Sequence, residues 1–143
     1  MGVSATVIVN EWEAKSTLEM IEDFISSSEL GDSAGEFVAD RIVKRTLKGI
    51  DVNDNDFAPY SINTPKTGTP NLRDTGAMLN SISFISNGST GAVIECESPI
   101  AQYHQDGTSK MPQREFMGLT SADEVDLVNE VIIYPLIAQI TWS

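Results

Sequence analysis

The chain has 143 residues, enough for one domain with a buried core and too few for two ordinary domains. Apolar residues make up 41% and charged residues 21%, so the composition predicts a folded protein rather than a disordered one. The longest apolar stretch, 131–138, is too short to cross a bilayer, and the first residues lack the pattern of a secretory signal. One cysteine and one histidine exclude an intrachain disulfide and the usual Cys/His zinc site, so we expect assembly in a reducing cytoplasm.

Acidic residues dominate the charge. Twenty-one acids against nine bases leave a net charge of −12, which opposes nonspecific binding to nucleic acid. Residues 11–40 hold nine acids and a single base, Lys15. Four bases follow at the spacing of one helical stripe, namely Arg41, Lys44, Arg45 and Lys48. This basic stripe predicts either a solvated helix face or a docking strip for an acidic surface, such as the first helix of a neighbouring copy.

The first third of the chain predicts a strand and two helices. Residues 3–9 alternate in hydropathy, as a half-buried strand does. A helix is predicted over about 13–28, with its end at Gly31, because glycine tolerates the left-handed conformation after a helix terminus. A capping-box spacing at Ser33 predicts the start of a second helix, which ends near Gly49.

The middle of the chain predicts a long loop and a hairpin. Residues 51–72 lack periodicity and are rich in turn-forming residues, which is typical of a working loop or of an arm that another chain orders. A short helical turn is predicted within 71–79. Alternating apolar residues at 82–84 and 92–96, separated by the glycine-containing turn 87–91, then predict a β-hairpin.

The last third predicts irregular chain followed by a helix. Residues 98–112 read as an irregular crossing, and 114–117 as a short edge strand with Phe116 pointing inward. A second capping box at Ser121 predicts a helix whose inner face holds Leu127, Val128, Val131 and Ile132. Pro135 should end or kink this helix, because proline removes a helical hydrogen bond. We assign 133–143 to a C-terminal tail segment.

These elements predict one α+β domain spanning residues 1–143. A small antiparallel sheet would pack against two or three helices, and 51–72 would form a long extended arm. The sequence shows no internal repeat, no low-complexity tract and no linker.

Nothing in the sequence favours catalysis. Cys96 alternates in phase with Ala92 and Ile94, which predicts an inert core thiol rather than a Cys–His dyad. The Gly-x-Ser-x-Gly elbow and the glycine-rich phosphate loops are missing. We expect His104 to be a hydrogen-bonded structural residue, and we expect neither enzymatic activity nor a cofactor. A small hydrolase built around His104 is the alternative from another class.

One segment has a metal-like pattern. Oxygen-bearing side chains alternate at Asp51, Asn53 and Asn55, which suits a hard cation such as calcium. An EF-hand would need glycine at the sixth position and glutamate at the twelfth, where this chain has Asp56 and Ile62. Because Asn and Asp also form turns through local hydrogen bonds, a turn is the default interpretation, with a calcium-dependent binding module as the alternative.

Three segments in order resemble the phage virion morphogenesis (tail completion) family, which is related to neck and tail-joining proteins of tailed phages. They are FAPYS at 57–61, NLRDTGAMLNSI at 71–82, and AQYHQDG at 101–107 together with PQREF at 112–116. The likeness covers about residues 36–132. The resemblance rests on the order and spacing of all three segments together.

The resemblance implies a non-enzymatic ring in the virion neck. Expected partners are other copies of the chain in a hexameric or dodecameric ring, adaptor or head-closure proteins, and tail terminator or tube proteins. DNA would pass through the lumen without specific binding, since an acidic wall repels phosphates. A tail terminator that caps the tail tube is the alternative in the same class. Besides the basic stripe, we expect assembly contacts from Phe57, Pro59, Tyr60, Arg73, Asp74, His104, Gln105 and Arg114.

Overall fold

The structure is a computed structural model in which residues 11–142 are described. The strand predicted at 3–9 lies outside the described residues. A two-stranded antiparallel sheet with several helices confirms the predicted α+β class. The elements in chain order are α1 (Glu11–Ile25), α2 (Glu29–Leu47), α3 (Ala77–Asn80), β1 (Ile82–Ser86), a 3₁₀ turn (Gly88–Thr90), β2 (Ala92–Cys96), α4 (Ala101–Asp106), α5 (Ser121–Leu127), a π-helical segment (Val128–Ile133) and α6 (Tyr134–Trp142).

The boundary between the first two helices differs from the prediction. The first helix is confirmed as α1, but α2 begins at Glu29, so that Gly31 and Ser33 both lie inside it. Glu29 and Asp32 occupy the first turn, where carboxylates interact favourably with the helix dipole. The predicted end is confirmed, because Gly49 follows the last turn with a left-handed φ of 78°.

Gly31 lies inside α2 because the helix packs closely against the hairpin. A Cβ atom at Gly31 would lie 2.3 Å from the carbonyl oxygen of Gly88 and 2.5 Å from that of Gly91. One turn later, a Cβ atom at Gly35 would lie 2.3 Å from Cδ2 of Phe84. Gly31 is therefore a packing residue, and the prediction that it ends a helix is wrong.

Gly31→Ala is expected to destabilise the protein by about 1–3 kcal/mol, the usual range for overpacking. On an exposed helix the same change would stabilise by about 1 kcal/mol, but here the obstructing atoms are backbone carbonyls that cannot move aside. Urea unfolding measures the difference. Ser33→Ala, exposed on the same helix, is the control and should change stability by less than about 0.5 kcal/mol. A Gly31→Ala variant as stable as wild type would contradict the close approach.

The predicted hairpin is confirmed. β1 pairs with β2 in the register Ile82↔Cys96 and Phe84↔Ile94, and the inner residues of both strands face α2 and the core. The connecting turn contains Gly88 and Gly91, both with positive φ. The outer residues Ile85 and Val93 are exposed.

The long irregular segment 51–72 is also confirmed, although much of it is packed against its own chain. Phe57 is buried in the core, and its backbone amide donates to the carbonyl of Gly49 (2.8 Å). At the other end Pro70 is buried and Leu72 packs against the core. The solvent-facing parts are therefore the shorter stretches 53–56 and 61–69, and Ile62 in the second is 99% exposed.

Two predictions for residues 98–117 are wrong. The irregular crossing contains the helix α4, and 114–117 forms no strand. The amides of Phe116 and Met117 donate to Oε1 of Gln105 (3.2 and 3.1 Å), so a side chain replaces a neighbouring strand. Phe116 is nevertheless fully buried, as its inward orientation predicted.

The capping box that begins α5 lies one residue before the predicted one. The Asp123 amide donates to Oγ1 of Thr120 (3.1 Å), and the Thr120 amide donates to Oδ2 of Asp123 (3.0 Å). The predicted inner face is confirmed at Leu127, Val131 and Ile132, whereas Val128 is exposed.

The last helix does not end at Pro135. Within the π-helical segment the Tyr134 amide donates to the carbonyl of Asn129, five residues back. This wider turn makes room for the proline ring, which clashes with the carbonyl four residues before it in a regular α-helix. The tail segment predicted at 133–143 is thus helical as far as Trp142, and α6 packs against α1.

Candidate functional site

The predicted basic stripe is divided between the interior and the surface. Arg45 is 6% exposed, so the interpretation as a solvated face is wrong for this residue. Its Nη1 lies 2.6 Å from Oδ2 of Asp123, and its Nη2 donates to the carbonyl of Phe116 (2.7 Å). Arg45 therefore joins α2 to the start of α5 inside the chain.

Arg41 also points toward α5. Its Nη1 lies 2.9 Å from Oδ2 of Asp126 and 3.4 Å from Oδ1 of Asp123. Lys44 forms an exposed pair with Asp40 (2.7 Å) on its own helix, and Lys48 is exposed without an ion pair among residues 11–142. The stripe therefore leaves only its two lysines at the surface.

Asp123 is the centre of this buried network. Burial alone would raise the pKa of Asp123, but the hydrogen bonds from Thr120 and the contact with Arg45 outweigh it and leave the pKa below its usual value. The carboxylate is thus held ionised between two arginines and a helix terminus. This arrangement stabilises the packing of α2 against α5.

A cleft of about 340 Å³ brings the three resemblance segments together. Segment 57–61 contributes one wall, segment 71–82 a second, and residues 100–114 a third. Five of the residues expected at assembly contacts line it, namely Tyr60, Arg73, Asp74, His104 and Arg114. We call this the basic cleft.

Arg114 holds the walls of the basic cleft together. Its Nε donates to the carbonyl of Ala58 (2.8 Å) and its Nη2 to that of Pro59 (3.0 Å). Its guanidinium lies over the Tyr60 ring, 5.4 Å from the centroid, and its backbone amide donates to the carbonyl of His104 (2.8 Å). Two segments more than 40 residues apart in sequence are fixed by this one side chain, which is 6% exposed.

The other expected assembly residues support the cleft from behind. Phe57 is part of the core, and Gln105 uses its side chain and its carbonyl to hold 113–117. Pro59 is exposed, and its contribution to the cleft is the carbonyl that Arg114 binds. These three residues position the cleft without lining it.

His104 is half-buried and held neutral. Burial lowers its pKa, and the nearby positive charges of Arg114 and Lys66 lower it further. Its Nδ1 is buried and has no hydrogen-bond partner in the described part of the chain. Within the same residues Cys96 bonds to Ser81 and Met78, and no hydrogen bond joins it to His104.

The basic cleft concentrates positive charge in an acidic protein. Two bases that sequence analysis missed, Lys66 and Lys110, line it beside Arg73 and Arg114, and Asp74 is the one acid among the lining residues. None of these four cations forms an ion pair in the described part of the chain. A signal was present in the sequence, because 57–73 and 107–114 each contain two bases and no acid.

The segment with the metal-like pattern forms a turn. Oδ1 of Asp51 accepts hydrogen bonds from the amides of Asn53 (2.8 Å) and Asn55 (3.0 Å), which is the local bonding that the default interpretation describes. Among residues 11–142, no group of three or more His, Cys, Asp or Glu side chains is arranged to hold a metal ion.

Comparisons with family models, with curated proteins and with solved structures find no match to this chain. The family resemblance therefore rests on the three segments quoted above. Across the described residues, the helices are too short or too polar to cross a lipid bilayer.

Proposed function

We propose that this chain is a structural virion protein of the phage neck, forming a ring that joins the head to the tail. The observation that carries the proposal is the convergence of the three resemblance segments on the basic cleft. Arg114, Tyr60 and His104 come from two of these segments and contact one another or one another's backbone. Segments that matched the family by chance would not be expected to line one cleft.

Exposed apolar side chains support an assembled state. Large hydrophobic residues face solvent on the outer side of the hairpin and along the C-terminal helix, including Ile85, Val93, Val125, Val128, Tyr134 and Ile137. Monomeric proteins rarely leave extended apolar surface uncovered, whereas subunits of an oligomer bury it against their neighbours. A ring subunit has such neighbours on both sides.

The proposed role uses surface recognition and no bond chemistry. Adaptor or head-closure proteins would contact one side of the ring and tail proteins the other. DNA would pass through the lumen, where the net charge of −12 disfavours adhesion of phosphates.

Imaging of the intact particle and of a particle made without this chain tests the proposal. We expect a six-fold or twelve-fold ring of this chain at the head–tail junction. Deletion should leave filled heads and finished tails that do not join. Density located only on the last ring of the tail tube would identify a tail terminator instead. A chain found away from the junction would overturn the proposal.

A further inference from the structure

Among the described side chains, the four cations of the basic cleft have no carboxylate partner, although the chain has more than twice as many acids as bases. The cations of α2 differ from those of the cleft, since Arg41, Lys44 and Arg45 each form an ion pair with a carboxylate of the same chain. Three of the cleft cations, Lys66, Arg73 and Lys110, are exposed and available for charge-assisted hydrogen bonds. The cleft is therefore built to meet negative charge from outside the chain.

Carboxylates without partners are concentrated at a different place, where α1 ends and α2 begins. We call this region the acidic corner; it comprises Glu19, Glu22, Asp23, Glu29 and Asp32. All five side chains are exposed, and none forms an ion pair with another of the side chains that the structure describes, those of 17–141. No residue of the corner lines the basic cleft, so the two charged surfaces are separate.

We propose that the basic cleft binds the acidic corner of a second copy of this chain, an inference that rests on the proposed ring. A contact between two different surfaces is head-to-tail, and repetition of such a contact generates a ring when the rotation closes. Complementary charge steers the two copies together and fixes which surfaces meet. The sequence predicted that the basic stripe would dock on the acidic helix of a neighbouring copy. We now assign that role to the basic cleft, because Arg41 and Arg45 form ion pairs within their own chain.

The aromatic ring of Tyr60 organises the cations in the cleft. Nζ of Lys66 lies 5.9 Å from the ring centroid, and the guanidinium of Arg114 lies 5.4 Å from it. Arg114 is fixed by its carbonyl contacts, while Lys66 stays exposed at the rim. Asp74 opposes an incoming carboxylate, but it is one acid against four positive groups among the lining residues. Exposed pairs are individually modest, so the contact should depend on several together and weaken with salt.

Nucleic acid would also satisfy a positive cleft, but the rest of the chain argues against it. The net charge of −12 repels a polyanion, whereas a second copy brings its negative charge in a compact corner. Among the residues that line the cleft, Tyr60 is the one tyrosine, and it is engaged with cations rather than presented for base stacking.

Charge exchange between two variants tests this contact. The first variant reverses the cleft with Lys66→Glu, Arg73→Glu and Lys110→Glu. The second reverses the corner with Glu19→Lys, Glu22→Lys and Asp23→Lys, placing lysines toward the C-terminal end of α1, where positive charge is favourable. Both variants remain negative, at −18 and −6, because each reversal changes the charge by two, so net charge does not attract one to the other. Lys48→Glu, an exposed cation outside the cleft, is the matched control.

Sedimentation velocity of the full chain at low ionic strength gives the readout. Wild type and Lys48→Glu should self-associate, and each reversed variant alone should associate at least about tenfold more weakly. An equimolar mixture of the two variants should recover association, because each reversed surface then finds a complementary one. Circular dichroism and thermal melting establish that both variants are folded.

Several outcomes would overturn the contact. They are a wild type that stays monomeric at low salt, a reversed variant that associates like wild type, and a mixture that stays dissociated. Binding of a short DNA duplex that disappears in the cleft variant would assign the cleft to nucleic acid instead. Failed recovery with the chain still located at the neck would reject this contact alone. Recovered association with the chain absent from the neck would reject only the proposed function.

Discussion

Replacing Arg45 by methionine is expected to lower the free energy of unfolding by about 3–5 kcal/mol, as breaking a buried ion pair usually does. Arg45 and Asp123 are 6% and 5% exposed, and their charged atoms are 2.6 Å apart. Loss of the guanidinium leaves the buried Asp123 carboxylate with the Thr120 amide and a 3.4 Å contact to Arg41, and it also removes a donor from the Phe116 carbonyl. Chemical denaturation of both proteins measures the difference.

Lys44→Met is the matched control for Arg45→Met. Lys44 lies on the same helix and pairs with Asp40, but both partners are more than half exposed. Such a surface pair contributes about 0.5 kcal/mol or less, so this variant should unfold almost as wild type does. Equal losses at the two positions would contradict the buried network.

The pH dependence of stability provides a second readout of the same pair. The folded pKa of Asp123 lies below its usual value, so the stability that Asp123 contributes is fully present above that usual value and is lost as the pH falls through the folded pKa. Wild type should therefore lose stability more steeply on acidification than Arg45→Met, in which part of the cause of the lowered pKa is gone. Parallel stability curves below pH 4 would contradict this assignment.

Phe116→Ala is expected to cost about 3–5 kcal/mol, the range for removing a fully buried aromatic side chain. Phe116 is 0% exposed and packs in the cluster with Ile42, Phe57 and Met78. Since 114–117 has no strand partner, side-chain burial and the amide contacts with Gln105 hold this segment in place. The same denaturation measurement applies.

Ile62→Ala is the control for Phe116→Ala. Ile62 is 99% exposed, so its truncation should change stability by less than about 0.5 kcal/mol. Comparable losses at Ile62 and Phe116 would mean that the core is not where the structure places it. The pair of variants thus tests the position of the core directly.

Local patterns predicted the parts of the fold that depend on local interactions. The hairpin followed from alternation and a glycine-rich turn, and the end of α2 followed from Gly49. Gly31 was wrongly predicted to end a helix, because a glycine required by tertiary packing looks the same in sequence as one that ends a helix. The strand predicted at 114–117 failed for a similar reason, since its amides bond to the distant side chain of Gln105.

The candidate site was predictable in part. Helical spacing correctly placed three of the four bases on α2, with Lys48 directly after its end. It could not show that Arg45 faces inward, because its partner Asp123 lies 78 residues later. The three resemblance segments supplied five expected assembly residues that line the basic cleft. Lys66 and Lys110 were missed because they fall between the motifs, in stretches whose common feature is the lack of acids.

The π-helical segment determines the direction in which the side chains of α6 point around the helix axis. Each residue advances an α-helix by about 100°, so a turn that closes over one extra residue re-aims all later side chains around the axis by roughly that angle. The nine residues of α6 meet α1 in that altered phase, and α1 carries part of the acidic corner. The π-helical segment before Pro135 thereby determines which face of α6 packs against α1, and so the direction in which the carboxylates of α1 point.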